Sequence, residues 1–216
     1  MKKPHKKNLI LILLILVSAM MFSSCSKDDG SGYIFRVNIE KNPQNLDPQM
    51  ASDEASKMII MNTYAGLVKM NTDGVIENDI CESYSLSDDG LVYTFKLKDN
   101  IFWEGLGEFT ANLTANDFVY AFERILSKNS TSPYSKDYSC IKNANAVRNG
   151  IVDAKQLGVN ALDDYTLEIV LEYPYYNFLE MLTYTAAKPC NKEFFESTRG
   201  RYGLSAETSI SNGAFY

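Results

Sequence analysis

The chain has 216 residues, 45% of them hydrophobic and 12% aromatic, enough to build one or two domains around a real core. Its 21 basic residues stand against 27 acidic ones, with a pI near 4.9. That balance excludes a nucleic-acid partner, because binding phosphates requires a basic surface.

The N-terminus is the one basic region. Lys2, Lys3, Lys6 and Lys7 precede Leu9 to Phe22, fourteen residues interrupted only by Ser18. A basic head followed by an apolar run shorter than a membrane span has the anatomy of an export signal. Ser23-Ser24 before Cys25 resemble the lipobox of bacterial lipoproteins, with Phe22 departing from the usual Leu. The alternative is a signal anchor left uncut, with Cys25 incidental. Cleavage before Cys25 removes four lysines and His5, the only histidine; 17 basic residues (21 less four) then face 27 acidic ones, net −10. A chain without histidine has no Ser-His-Asp triad, no imidazole base and no His-ligated metal. Cys81, Cys140 and Cys190 remain. They read as buried free thiols, with a Cys140–Cys190 bridge the other option in an exported chain. No CxxC pair supports a zinc or redox site, and no metal or cofactor is expected.

Ser26 to Gly32 is a polar Gly/Ser-rich tether. Tyr33 to Ile39 alternates as a strand, ended by Asn42-Pro43, and Asn45 to Pro48 forms a turn. Ser52 to Val68 reads as a helix capped by Ser52, with Asp53 and Glu54 favouring its positive end. Ala55, Met58, Ile59, Asn62 and Leu67 would form its inward face. Asn71 to Gly74 is a turn before a short extended piece at Val75-Ile76. Cys81 suits a helix or turn.

Ser87-Asp88-Asp89-Gly90 is a tight turn. It leads into Leu91, Tyr93, Phe95 and Leu97, which alternate with Val92, Thr94, Lys96 and Lys98, giving the period of a strand. After Trp103 and a loop, Thr114 caps a helix with Asp117 three residues on, the spacing of a capping box. Phe118, Ala121, Phe122 and Ile125 form its apolar stripe. Thr131 to Tyr134 lies in a polar loop where Pro133 restrains the backbone before Tyr134. Ile141 to Asn149 is a short helix ended by Gly150. Asp163-Asp164 turns into Leu167, Ile169 and Leu171, a second alternating strand placed to pair antiparallel with the first. Tyr175 to Tyr184 reads as a helix, Glu193 to Ser197 as a helical piece, and Ser211 to Tyr216 as a turn leading into a strand. The strand start at the C-terminus suggests a truncated product.

The run from Glu82 through Ser87-Asp-Asp-Gly-Leu-Val-Tyr-Thr-Phe-Lys-Leu97, Trp103 and Thr114-Ala-Asn-Asp-Phe-Val-Tyr-Ala-Phe122 resembles solute-binding protein family 5. These are extracytoplasmic peptide- and nickel-binding proteins of ABC importers. Leu46-Asp-Pro48, Thr131 to Tyr134, Leu157 to Glu168 and Asn212 to Phe215 match in the same order, most like the oligopeptide-binding branch. Thr114 lies eleven residues after Trp103, where the family has seven, and Thr110-Ala-Asn112 nearly duplicates Thr114-Ala-Asn116. The loop is therefore longer than usual.

The resemblance implies an α/β fold of the periplasmic-binding-protein-like type II class, two-lobed, cluster C with an extra domain. Family members are more than twice as long, so this chain corresponds to their N-terminal part. The implied organisation is a lipoprotein signal over 1–25, a tether over 26–32, the first part of lobe I over 33–52, the extra domain over 53–185 and a return to lobe I over 186–216. It implies a monomeric, non-enzymatic protein lipid-anchored through Cys25 outside the cytoplasm, handing peptides to ABC permease subunits. The implied ligand-side positions are Ser52, Asp53 and Glu54, with an acid there meeting a peptide amino terminus, and Tyr134 and Tyr184. Each of these residues also has a reading as plain packing or turn chemistry. Trp103 and Asp117 are assigned to folding. Another solute (nickel chelate, haem, oligosaccharide), an extracytoplasmic hydrolase built on a carboxylate pair, and a non-functional truncated copy are the alternatives.

Overall fold

The computed structural model describes residues 38–39, 41–106 and 109–215. The signal segment with Cys25, the tether, and the strand expected from Tyr33, apart from its last two positions, lie outside those residues.

Three antiparallel sheets organise the described residues. Strands β1 (Val68–Met70) and β2 (Ile76–Asn78) form a hairpin. Its turn is shaped by Asn71, whose side-chain oxygen accepts from the Asp73 and Val75 N–H groups at 3.0 and 2.9 Å. The second sheet contains β3 (Cys81–Leu86), β4 (Val92–Leu97), β7 (Val159–Asp163) and β8 (Thr166–Val170) in the order β3-β4-β8-β7. The third contains β5 (Phe102–Gly105), β6 (Thr110–Asn112) and β9 (Ile210–Ser211), in the order β6-β5-β9.

The two Asp-Asp-led strands pair as their alternation predicts: Tyr93 lies opposite Ile169 and Phe95 opposite Leu167. Phe95, Leu167 and Ile169 are fully buried, and Tyr93 and Leu97 nearly so. Helix α1 (Glu54–Thr63) precedes this sheet, and helix α2 (Ala115–Leu126) packs against β7 and β8. Phe118, Ala121, Phe122 and Ile125 are all buried, and sequestering each large member from water is worth about 1.5–3 kcal/mol. Asp117 closes the expected capping box by accepting from the Thr114 N–H at 2.8 Å. The remaining helices, α3 (Ala144–Arg148), α4 (Phe178–Met181) and α5 (Lys192–Ser197), are short.

Several expectations are corrected. Helix α1 starts two residues later and ends five earlier than expected. Its cap is Asp53, whose carboxylate accepts from the Ser56 N–H at 2.9 Å, rather than Ser52. Its buried face is Ser56 and Ile60, while Met58 is 46% exposed. Ser56 turns inward because its hydroxyl oxygen accepts from the Gln44 and Asn45 N–H groups, 3.0 and 3.2 Å away. Those donors would otherwise lack partners in a half-buried loop.

Cys81 begins a strand rather than a helix or turn. The stretch between Trp103 and Thr114 is a hairpin in which Trp103 pairs with Ala111, so the extra residues form β6. Only Phe178–Met181 of the expected Tyr175–Tyr184 helix is helical. At the C-terminal end, β9 precedes the Asn212-Gly213 bend instead of following it. Cys81, Cys140 and Cys190 are buried free thiols with no bridge, and burial pushes the Cys140 and Cys190 thiols up to about 11 and about 12.

Candidate functional site

A buried polar hub ties α2 to the segment that precedes α1. The Arg124 guanidinium on α2 forks onto the Asp47 carboxylate and reaches Gln49 Oε1 at 2.6 Å. Its flat face lies 3.9 Å from the centre of the Phe195 ring. Gln49 is fully buried; its amide donates to the Ala186 and Lys188 carbonyls at 3.2 and 2.8 Å. Burial opposes the charge on Arg124, but the Asp47 carboxylate outweighs it and holds the guanidinium protonated well above its ordinary range. This hub joins the 47–51 segment to α2 and to residues 186–188.

The 47–51 segment in turn holds the Thr131–Tyr134 loop. Ser132 Oγ donates to the Gln49 carbonyl at 2.7 Å, and the Tyr134 hydroxyl donates to the Ala51 carbonyl. Two bonds to this one turn hold the Tyr134 ring in place.

That ring lines a groove of about 890 Å³. One wall is the outward stripe of α1, where Glu54, Lys57, Met58 and Met61 recur at helical spacing. Met70, at the end of β1, continues this wall. The opposite side comes from the 175–185 segment, including Tyr175, Glu180, Met181 and Tyr184. Asp137 and Tyr138 follow Tyr134 along the groove. The volume is within the range of small-molecule sites.

Of the residues proposed from sequence, Glu54, Tyr134 and Tyr184 line this groove together, although up to 130 positions separate them in the chain. Ser52 and Asp53 do not line it. Ser52 is exposed, and the Asp53 carboxylate is engaged as the α1 cap, with bonds to Ser56 holding its pKa below the usual carboxylate range. Tyr184 is half exposed and donates its hydroxyl to Glu180 Oε1 at 3.0 Å, which raises its pKa. Lys57 is paired with Glu54 at 3.1 Å, and its pKa is raised by that bond.

The sequence reading missed the methionine face. Met58 and Met61 are three residues apart on the side of α1 away from Ile60, a second apolar stripe that was legible in the spacing. Met70 and Met181 carried no such signal. Trp103 and Asp117 are scaffold, as expected: the indole is fully buried and bonded to that carboxylate. Among the described residues, no cluster of His, Cys, Asp and Glu side chains is arranged to hold a metal ion. No helix among them is long and apolar enough to cross a membrane.

Comparison with known proteins places these observations. The family model described as bacterial extracellular solute-binding proteins, family 5 Middle, matches residues 75–216. The oligopeptide-binding protein OppA of Bacillus subtilis is 29% identical over 97% of this chain and 40% of its own length. The substrate-binding domain of an oligopeptide ABC transporter from Bacillus anthracis aligns with a TM-score of 0.75 and 32% identity, over 80% of this chain and 33% of that one. Listeria monocytogenes OppA bound to peptide gives a TM-score of 0.75 and 28% identity, again over 80% and 33%. The chain therefore spans about two-fifths or less of the length of the relatives it matches.

Proposed function

The chain belongs to the bacterial extracellular solute-binding proteins, family 5, with the type II periplasmic-binding-protein fold, and we propose that it captures peptides as a non-enzymatic binding protein for an ABC importer. One observation carries this reading: Glu54, Tyr134 and Tyr184, drawn from three distant segments, converge on one groove of about 890 Å³. Three of the five residues named by the resemblance line this groove, which supports the reading. An extended peptide would lie along the groove with its backbone near α1 and its side chains against the tyrosine rings. Glu54 would meet a peptide ammonium. Asp53 would act indirectly, by capping the start of α1.

In this reading 33–52 and 186–216 belong to one lobe and 53–185 to the family's extra domain. Closure of a second lobe over the groove would report ligand to the permease. Cys25 would carry the lipid that keeps the protein on the outer face of the cytoplasmic membrane or the cell surface. Two fatty chains anchor stably where one is reversible.

Release and mass spectrometry of small molecules that co-purify with the protein test the reading. A set of short peptides supports it. A nickel chelate, haem or sugar in their place would reassign the solute, and an empty protein that ignores a peptide mixture would refute capture altogether. Labelling with a fatty-acid analogue, lost in Cys25→Ser, tests the anchor separately.

A further inference from the structure

Four hydroxyls of the groove walls have their hydrogens engaged within the fold. The Tyr134 hydroxyl is given to the Ala51 carbonyl, Tyr138 to the Met181 carbonyl, Tyr184 to Glu180 and Thr183 to the Glu180 carbonyl. Each has already spent its single O–H, so what these residues offer inward is oxygen lone pairs and ring faces. The charges lean the same way. Glu54, Asp137 and Glu180 face Lys57 alone, and Lys57 is bound to Glu54, which leaves the lining with two net negative charges. Asp137 is exposed and has no ion pair among the described residues.

Between these acceptors lies an apolar surface of unusual exposure. Met58, Met61 and Met70 are 46%, 46% and 44% exposed, although methionine is among the residues most often fully buried. Thioether side chains are flexible and polarizable, and fit apolar and aromatic groups of varied shape. A concave, acceptor-rich site with low-dielectric walls concentrates cations, and aromatic faces add to that preference.

Building on the peptide-capture reading above, we propose that the groove selects peptides that pair a large apolar side chain with a lysine or arginine. Acidic peptides meet two surplus carboxylates, so they are disfavoured. Small polar peptides leave the methionine face in water.

The test uses the protein labelled with carbon-13 in its methionine methyl groups, titrated with Lys-Leu-Lys, Glu-Leu-Glu and Ser-Gly-Ser at equal ionic strength. The expected result is that Lys-Leu-Lys shifts the Met58, Met61 and Met70 methyls and binds at least about tenfold more tightly than Glu-Leu-Glu. Asp137→Asn should narrow that ratio by about threefold, and raising the salt should narrow it further. Equal affinity for the basic and acidic peptides, or an unchanged ratio in Asp137→Asn, overturns the selectivity while leaving peptide capture standing. If no peptide moves any methyl, peptide capture fails, and the selectivity fails with it.

Discussion

The indole N–H of Trp103 donates to the Asp117 carboxylate at 3.1 Å, in a site where the tryptophan is fully buried. Thr114 N–H and the Asn191 amide donate to the same carboxylate, at 2.8 and 3.4 Å. One acid thus caps α2, anchors the β5–β6 hairpin and holds the start of α5. Three donors favour the ionised form, yet burial outweighs them and pushes Asp117 up to about 6.

The consequence is a pH dependence with a definite sign. In the unfolded chain Asp117 titrates near its ordinary value of 3.8. Because its folded pKa is higher, its contribution to stability is fully present below about 4 and is lost as pH rises through about 6. Its full span is roughly 3 kcal/mol. Denaturant melts of the protein and of Asp117→Asn across pH 4–7 should diverge in slope, with the unmodified protein gaining relative to the variant toward acid. Parallel profiles would show that Asp117 is not the titrating group.

Arg124→Met should destabilise the fold by about 3–5 kcal/mol, because Asp47 is left buried without its partner. The double variant Asp47→Asn with Arg124→Met should recover part of that loss, since no lone charge remains. Arg124→Lys should be intermediate, keeping the charge but losing the fork and the stacking on Phe195. Chemical denaturation midpoints at fixed pH decide the order.

Two glycines separate backbone strain from steric collision. Gly74 has φ 76° and open space around an added Cβ, so Gly74→Ala should cost about 1–2 kcal/mol. Gly203 has the same φ, but a Cβ there would sit 2.3 Å from the Asp47 nitrogen. Gly203→Ala should therefore cost well over about 2 kcal/mol, or abolish folding. Comparable melting temperatures for the two variants would contradict the close approach of these backbones.

Tyr184→Ala should leave stability within about 0.5 kcal/mol, because the side chain is 51% exposed. Its peptide affinity should fall about tenfold if the ring lies against ligand. Tyr134→Phe should do the reverse, with affinity nearly kept and stability reduced by about 1 kcal/mol as the Ala51 carbonyl loses its donor. Calorimetric titration alongside thermal melts reads both.

Peroxide should convert Met58, Met61 and Met70 to sulfoxides before Met181, which is only 9% exposed. A bound basic peptide should slow the first three. Peptide mapping over a time course measures the order, and early oxidation of Met181 would mean that the groove wall opens more than the structure indicates.

Sequence alone determined the parts governed by neighbours a few residues apart. The alternation from Leu91 to Leu97, the capping box of Thr114 and Asp117, and the stripe from Phe118 to Ile125 all appear as read, because strand and helix periods act locally. The pairing of β4 with β8 followed from two similar alternating strands. The family resemblance pointed to Ser52, Asp53, Glu54, Tyr134 and Tyr184, of which the last three line the groove. Tertiary structure decided which side of α1 faces inward, through Ser56 accepting from Gln44 and Asn45. It also made Gln49 a buried hub and turned Met58, Met61 and Met70 outward onto the groove. No short window holds that information: the lining comes from residues 54–61, 70, 134–138 and 175–185. Only hydrogen bonds between distant segments, such as Tyr134 to Ala51 and Gln49 to Lys188, bring them to one place.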